Sequence, residues 1–178
     1  MRNVICYDLE IARSVEAVGG WKAAREGKAG VSCLVCVNPF VWQFRIFMED
    51  NFDQAAAMMN PAELCVSYNG NKFDDPVLRG IGLDVHDAPR LDLLEKIQQK
   101  RPFQKGWKLD DVCQRTLGVG KTHGSGVLAP HLFQRKFFGK LLTYAIHDVW
   151  LLARLYLHVL NKGFVIAPGG ALVKLDVD

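Results

Sequence analysis

Apolar and polar positions along this chain change period several times, and each change predicts an element. The opening run NVICYDLEIA is rich in β-branched and aromatic residues and predicts a strand. A glycine-rich, charged loop from about Arg13 to Gly30 follows it. VSCLVCVN and FVWQFRIF predict two more strands, broken at Asn38 and Pro39, and with the first they predict an antiparallel meander. DQAAAMM predicts a short helix, LCVSYN a buried strand, and NGNKFDD a turn-rich stretch leading to Pro76. Asp75 directly before Pro76 reads as an N-cap with proline at the first helical position. PRLDLL predicts a fifth strand running into the helix LLEKIQQK, and LDDVCQRTLG predicts a helix closed by Gly118. The longest predicted helix runs from about Phe138 to Asn161, with Gly163 as its C′ glycine. The closing segment FVIAPGGALVKLDVD suits an extra hairpin or a contact surface. Together these elements predict an α/β fold: a mixed five-stranded sheet, an antiparallel three-strand meander plus parallel strands, flanked by helices. No repeat or linker divides the chain, so a single domain over 1–178 is expected.

Composition narrows the class. Hydrophobic residues at 49% and charged residues at 23% suit a globular domain with a real core. No run approaches the roughly 18 to 20 apolar residues that a membrane span requires, and the acids of MRNVICYDLE come too early for a signal peptide. An intracellular protein without membrane contact is the expectation. The five cysteines are odd in number and scattered through apolar runs, which argues against a disulfide framework. Cys33 and Cys36 form a CxxC, but no second pair completes a tetrahedral set, so they read as buried thiols.

The net charge of +3 is unevenly spread. Between Lys96 and Lys140 stand ten Lys or Arg and two acids, so this segment carries +8 and the rest of the chain −5. Phe103, Trp107, Phe133, Phe137 and Phe138 interleave with those cations. That mixture suits phosphate contact and base stacking, although a solvated surface would also produce a charge run.

The acids carry the sharper signal. Asp8 and Glu10 lie two apart on the first strand and so share one face, with Cα atoms about 6.5 Å apart. An acidic outer face is the alternative, but the apolar flanks VICY and IA suggest a central strand, where buried anions cost several kcal/mol each unless a cation joins them. Asp74 follows a strand end and a turn, the place where ligands gather in α/β sheets. Tyr144 and Asp148 lie four apart on the long helix and share a face, beside an apolar stripe that includes Leu141, Ala145, Val149 and Leu152. His147 lies about 100° around that helix from Asp148 and reads as a surface or structural residue.

The order D-x-E, then N-x-x-x-F-D-x-P, then Y-x-x-x-D, spanning Asp8 to Asp148, resembles the DEDD superfamily of 3′–5′ exonucleases, which share a ribonuclease H-like fold. The tyrosine four residues before the last aspartate is similar to the tyrosine branch; the histidine branch would carry its histidine where Thr143 stands. The pattern is most similar to proofreading exonuclease domains of family-B DNA polymerases and their stand-alone relatives. The resemblance implies metal ligands at Asp8, Glu10, Asp74 and Asp148. It also implies that Tyr144 positions water and the scissile phosphate, and that Asn69 contacts the terminal nucleotide. The implied reaction is hydrolysis of phosphodiester bonds to nucleoside 5′-monophosphates by a two-metal-ion mechanism. The expected partner is a single-stranded 3′ end, DNA ahead of RNA.

The residue chemistry agrees. Phosphodiester cleavage must activate water and stabilise charge on the departing 3′ oxygen, and two cations about 4 Å apart between acids do both. An all-oxygen site suits Mg²⁺ or Mn²⁺. GVGKT mimics the end of a phosphate loop, but Arg115 stands where that motif needs its first glycine, and the loop follows a helix. Lys121 and His123 in that loop could face a substrate strand, or the loop could be plain surface. Two further readings are a structure-specific endonuclease on the same fold and a non-catalytic nucleic-acid-binding module. The second would be expected to have lost one of the acids.

Overall fold

The computed structural model describes residues 2–85, 87–101, 105–120 and 128–177. Its centre is strand β1 (Val4–Ile11), which is buried along nearly its whole length. Even and odd residues of β1 feed two different cores, as the strand's two-residue period requires. Val4 and Cys6 pack with Cys33, Val35 and Val37 of β2 (Val31–Asn38), on the side covered by helix α7 (Phe138–Lys162). Ile5, Tyr7, Leu9 and Ile11 pack on the opposite side, with α2 (Phe52–Met59) and α3 (Asp74–Gly80). The even face is the one that carries Asp8 and Glu10.

β1 pairs antiparallel with β2, and β2 antiparallel with β3 (Gln43–Phe47), which is the predicted meander. On its other side β1 pairs parallel with β4 (Leu64–Ser67), and β4 parallel with β5 (Arg90–Asp92). The sheet order is therefore β3-β2-β1-β4-β5, a mixed five-stranded sheet with helices on both faces. Helices α4 (Leu93–Lys100) and α5 (Leu109–Leu117) follow β5, and α5 ends on a left-handed Gly118. The long α7 ends on a left-handed Gly163, as predicted. The C-terminal segment resolves to a hairpin, β6 (Phe164–Ile166) with β7 (Leu172–Lys174), forming its own two-stranded sheet. It is held to α5 through Thr116 and Arg115, which bond the backbone of Ile166.

Three local expectations are corrected. The strand predicted from Phe40 begins only at Gln43, because Asn38 turns the chain: its side chain accepts the Phe40 N–H, its carbonyl accepts the Trp42 N–H, and Pro39 cannot donate to a ladder. The loop after β1 is partly helical. It forms a short turn α1 (Trp21–Ala23), then a wide turn Ala24–Lys28 broken at Gly27, whose φ is 83°. A side-chain carbon at Gly27 would fall 2.3 Å from the Gly80 carbonyl, so the loop rests backbone to backbone on the end of α3. A short helix, α6 (Ala129–Gln134), precedes α7 and was not predicted; six residues are too few to show a period.

Candidate metal centre and groove

Where β1 passes Glu10, its pairing with β2 slips by one residue between Glu10 and Ile11. The extra residue, Ser32, turns its hydroxyl back to the Glu10 carbonyl at 2.9 Å. Bulges of this kind re-aim side chains beside sites. Helix α7 crosses the same sheet face, with Tyr144 and Asp148 one turn apart. The result is a cluster: carboxylate oxygens of Asp8, Glu10 and Asp148 all lie within 4.8 Å of one another. Glu10 and Asp148 are each only 6% exposed. At that separation each pair of ionised carboxylates would repel by about 3 kcal/mol at an effective dielectric of about 20. Burial adds a desolvation cost to the repulsion. A divalent cation relieves both, and three carboxylates from two elements, with no thiol or imidazole among them, fit a hard ion such as Mg²⁺ or Mn²⁺.

Asp74 is neither one of the three nor among the residues that line the groove over them. It is buried at the first residue of α3, and its Oδ1 accepts the Leu9 N–H at 3.1 Å. Its carboxylate therefore rests on the peptide joining Asp8 to Leu9, at the edge of β1 beyond its pairing with β4. Burial pushes the Asp74 carboxyl up to about 7, with Asp75 adding to the rise and the Leu9 N–H opposing it.

Asp75 is not an N-cap. Phe73 holds the cap position, and Asp75 lies inside the first turn with its carboxylate turned to the back of the sheet. There it accepts the Tyr7 hydroxyl at 2.7 Å and lies 3.5 Å from Arg90 Nε. A buried hydroxyl and a nearly buried guanidinium outbid the helix's own N–H groups for that carboxylate. Pro76, in the same first turn, costs no helical hydrogen bond.

The turn before α3 is anchored by a residue that sequence reasoning did not single out. Asp92, 4% exposed, accepts N–H groups from Asn69 at 2.8 Å and Asn71 at 3.2 Å, and also caps α4 through Leu94 and Glu95. Asn69 is consequently held left-handed at φ 70°, a conformation asparagine tolerates. Gly70 follows because a side chain there would strike Ser67 Oγ at 2.4 Å.

A groove of about 1200 Å³ opens over the cluster and is lined by Asp8, Glu10, Tyr144, Asp148 and Asn69. Its walls include Trp21, Phe73, Tyr68 and Trp107, and its rim includes Lys72, Lys105 and Lys108. Trp21 is 60% exposed and meets Phe73 edge-on, with ring centroids 5.6 Å apart. Phe73 is half-buried in the groove wall. Tyr68 donates its hydroxyl to the Trp107 carbonyl and so fixes the far wall. Burial, then the carboxylates of Asp148 and Glu10, hold the Tyr144 hydroxyl far above its ordinary range, so it stays protonated and donates to Asp148.

Other sequence expectations also find their places. Lys121, His123 and Phe103 lie outside the described residues. His147 stacks on Trp150 with centroids 5.4 Å apart, a structural role. Cys33 faces the α7 core and Cys36 the opposite one, so the CxxC cannot grip one ion, and all five cysteines are buried. Burial, ahead of the Glu10 and Asp8 charges, pushes the Cys33 thiol up to about 12. No described helix is long and apolar enough to cross a membrane.

A mixed sheet of this order, with an acidic cluster on its central strand and a helix across it, defines a ribonuclease H-like α/β fold with a candidate metal centre. The chain is similar in structure to a family B DNA polymerase from the hyperthermophilic archaeon Pyrobaculum calidifontis, with a TM-score of 0.69 at 18% identity. The match covers 88% of this chain and 24% of the polymerase, so the chain spans about a quarter of that protein's length. No protein-family model and no curated protein matches the sequence.

Proposed function

We propose that this protein is a metal-dependent 3′–5′ exonuclease that hydrolyses single-stranded nucleic acid to nucleoside 5′-monophosphates. The observation that carries the reading is the convergence of Asp8, Glu10 and Asp148 to within 4.8 Å at the floor of a groove with aromatic walls and a cationic rim. Likeness to a DNA polymerase supports nucleic acid as the substrate class.

Asp8, Glu10 and Asp148 would hold divalent ions, with Asp74 completing the set from the edge of β1. When bound, Mg²⁺ or Mn²⁺ supplies activation of water and neutralises charge on the leaving 3′ oxygen. The chain's own groups do the rest. Tyr144 offers its protonated hydroxyl to the scissile phosphate or to the attacking water, and Asp148 orients that hydroxyl. Asn69, fixed by Asp92, lines the groove beside the terminal nucleotide. Trp21 and Phe73 present aromatic faces on which a base can stack, and Lys72, Lys105 and Lys108 meet backbone phosphates.

The test is a 5′-labelled oligonucleotide with Mn²⁺. A receding ladder is expected from the wild type. Asp8→Asn and Asp148→Asn should lower the rate by a factor of about 10³ or more, since each removes a charge that the transition state needs, while binding persists. One internal cut would mark an endonuclease; tight binding without cleavage would mark a binding module. Full activity in either variant would show that the centre lies elsewhere.

A further inference from the structure

The α6–α7 corner lies beside the groove and is not among the residues lining it. Arg135, Lys136, Phe137, Phe138 and Lys140 are all exposed there, Phe137 at 49% and Phe138 at 39%. The sequence has no acid from Leu128 to His147, so the corner carries unopposed positive charge along the chain. Its shape is fixed. The Phe137 N–H returns to the Leu132 carbonyl at 2.8 Å, Lys136 is left-handed at φ 59°, and Phe138 packs edge-on against Phe133. Lys140 Nζ lies 5.7 Å from the centre of the Phe137 ring, so a cation and an aromatic face are presented together. Gln134 reaches the Ala12 carbonyl just past the end of β1, and Pro130 lines the groove, so the corner is tied to the groove mouth.

Helix geometry aligns the corner with the acids. Lys140, Tyr144 and Asp148 are spaced four apart, each step a rise of about 6 Å and a rotation of about 40° beyond a full turn. Burial deepens along the same row: Lys140 is exposed, Tyr144 half-buried and Asp148 buried. The row descends from solvent to the acidic cluster. A large exposed aromatic costs solubility, and here it sits under a lysine at the head of that row.

We propose that this corner is a second contact site for the same single strand, upstream of its 3′ end: a base stacks on Phe137 while Lys140 and Lys136 pair with the adjoining phosphates. The proposal rests on the functional reading above, because it takes the 3′ terminus to lie at the acids. It assigns grip on longer strands to residues about 12 to 17 Å up the helix from Asp148, outside the reach of a dinucleotide bound at the cluster.

The experiment compares a fluorescent twelve-residue oligothymidylate, its ribo-oligouridylate counterpart and a dinucleotide. Strand binding is measured by anisotropy with Ca²⁺ present, and dinucleotide cleavage with Mn²⁺. Phe137→Ala should weaken binding of the longer strands about tenfold, the loss of one stacked base. Lys140→Ala should reduce the slope of log affinity against log salt by about 0.7. Both variants should keep wild-type kcat and KM on the dinucleotide and an unchanged Tm. Longer-strand affinity within twofold of wild type in both variants would overturn the proposal, as would equal losses on the dinucleotide. Wild type that binds the long strand but cleaves nothing would sink the functional reading and not the corner. Unequal losses on the deoxy and ribo strands identify which sugar the corner serves.

Discussion

The ion pair behind the sheet offers the sharpest stability test, because its energetics can be worked from geometry. Asp75 is 5% exposed and Arg90's side chain 15% exposed. Arg90 Nε lies 3.5 Å from Asp75 Oδ2, and its guanidinium sits 5.4 Å from the Tyr7 ring centre. The Cys65 thiol lies beside its guanidinium, but none of the three nitrogens makes a well-formed hydrogen bond among the described residues. Coulomb attraction to Asp75 is therefore the main offset to its desolvation, with the ring face and the weakly polar Cys65 thiol beside it. Asp75→Ala leaves a buried, uncompensated cation and strips the Tyr7 hydroxyl of its acceptor, which should cost about 3–5 kcal/mol. Domains of this size hold about 5–15 kcal/mol in all, and each kcal/mol moves Tm by about 2–4 °C, so a fall of about 6–20 °C is expected. Calorimetry on the single variant and on the double variant Asp75→Leu with Arg90→Met measures it. Removing both charges should restore most of the loss, since an apolar pair replaces a poorly hydrogen-bonded ionic one. A single variant within about 1 kcal/mol of wild type, or a double variant no better than the single, would refute this account.

Three further outcomes follow from the site. The Asp74 carboxyl titrates near 7 in the folded chain against 3.8 unfolded, so the native state keeps a proton that the unfolded chain has lost. That contribution is complete below about 4 and disappears as pH rises through about 7, so the metal-free protein should lose stability over this window, with Asp74→Asn flattening the trend. Ion binding must displace the same proton; Mn²⁺ affinity by titration calorimetry should climb to about pH 7 and level above it, and pH-independent affinity would count against Asp74 as a ligand. Asp92→Ala deprives four N–H groups of their acceptor and should destabilise the protein by about 2–4 kcal/mol in urea unfolding, with Mn²⁺-dependent cleavage falling as the turn carrying Asn69 slackens.

Much of this architecture is legible in the residues because the decisive signals are local. A two-residue period puts Asp8 and Glu10 on one face of β1, and a four-residue step puts Tyr144 and Asp148 on one face of α7; the structure adds only that those faces meet. Asp75 misleads because Pro76 supplies a plausible local explanation, while the real partners, Tyr7 and Arg90, are 68 and 15 residues away in sequence. Trp21 and Trp107 come to wall one groove through the docking of separate loops, which no period records. Asp92 is ambiguous by nature, serving at once as the last residue of β5 and the cap of α4.

The contact between Gly27 and Gly80 has a mechanical meaning. Helix α3 begins at Asp74 and ends at Gly80, so it acts as a short strut with an acid at one tip and the loop that bears Trp21 clamped to the other. With main chain against main chain, no compliant side group cushions the joint. On the function proposed above, a base leaning on the indole would press through this strut on the Asp74 carboxylate.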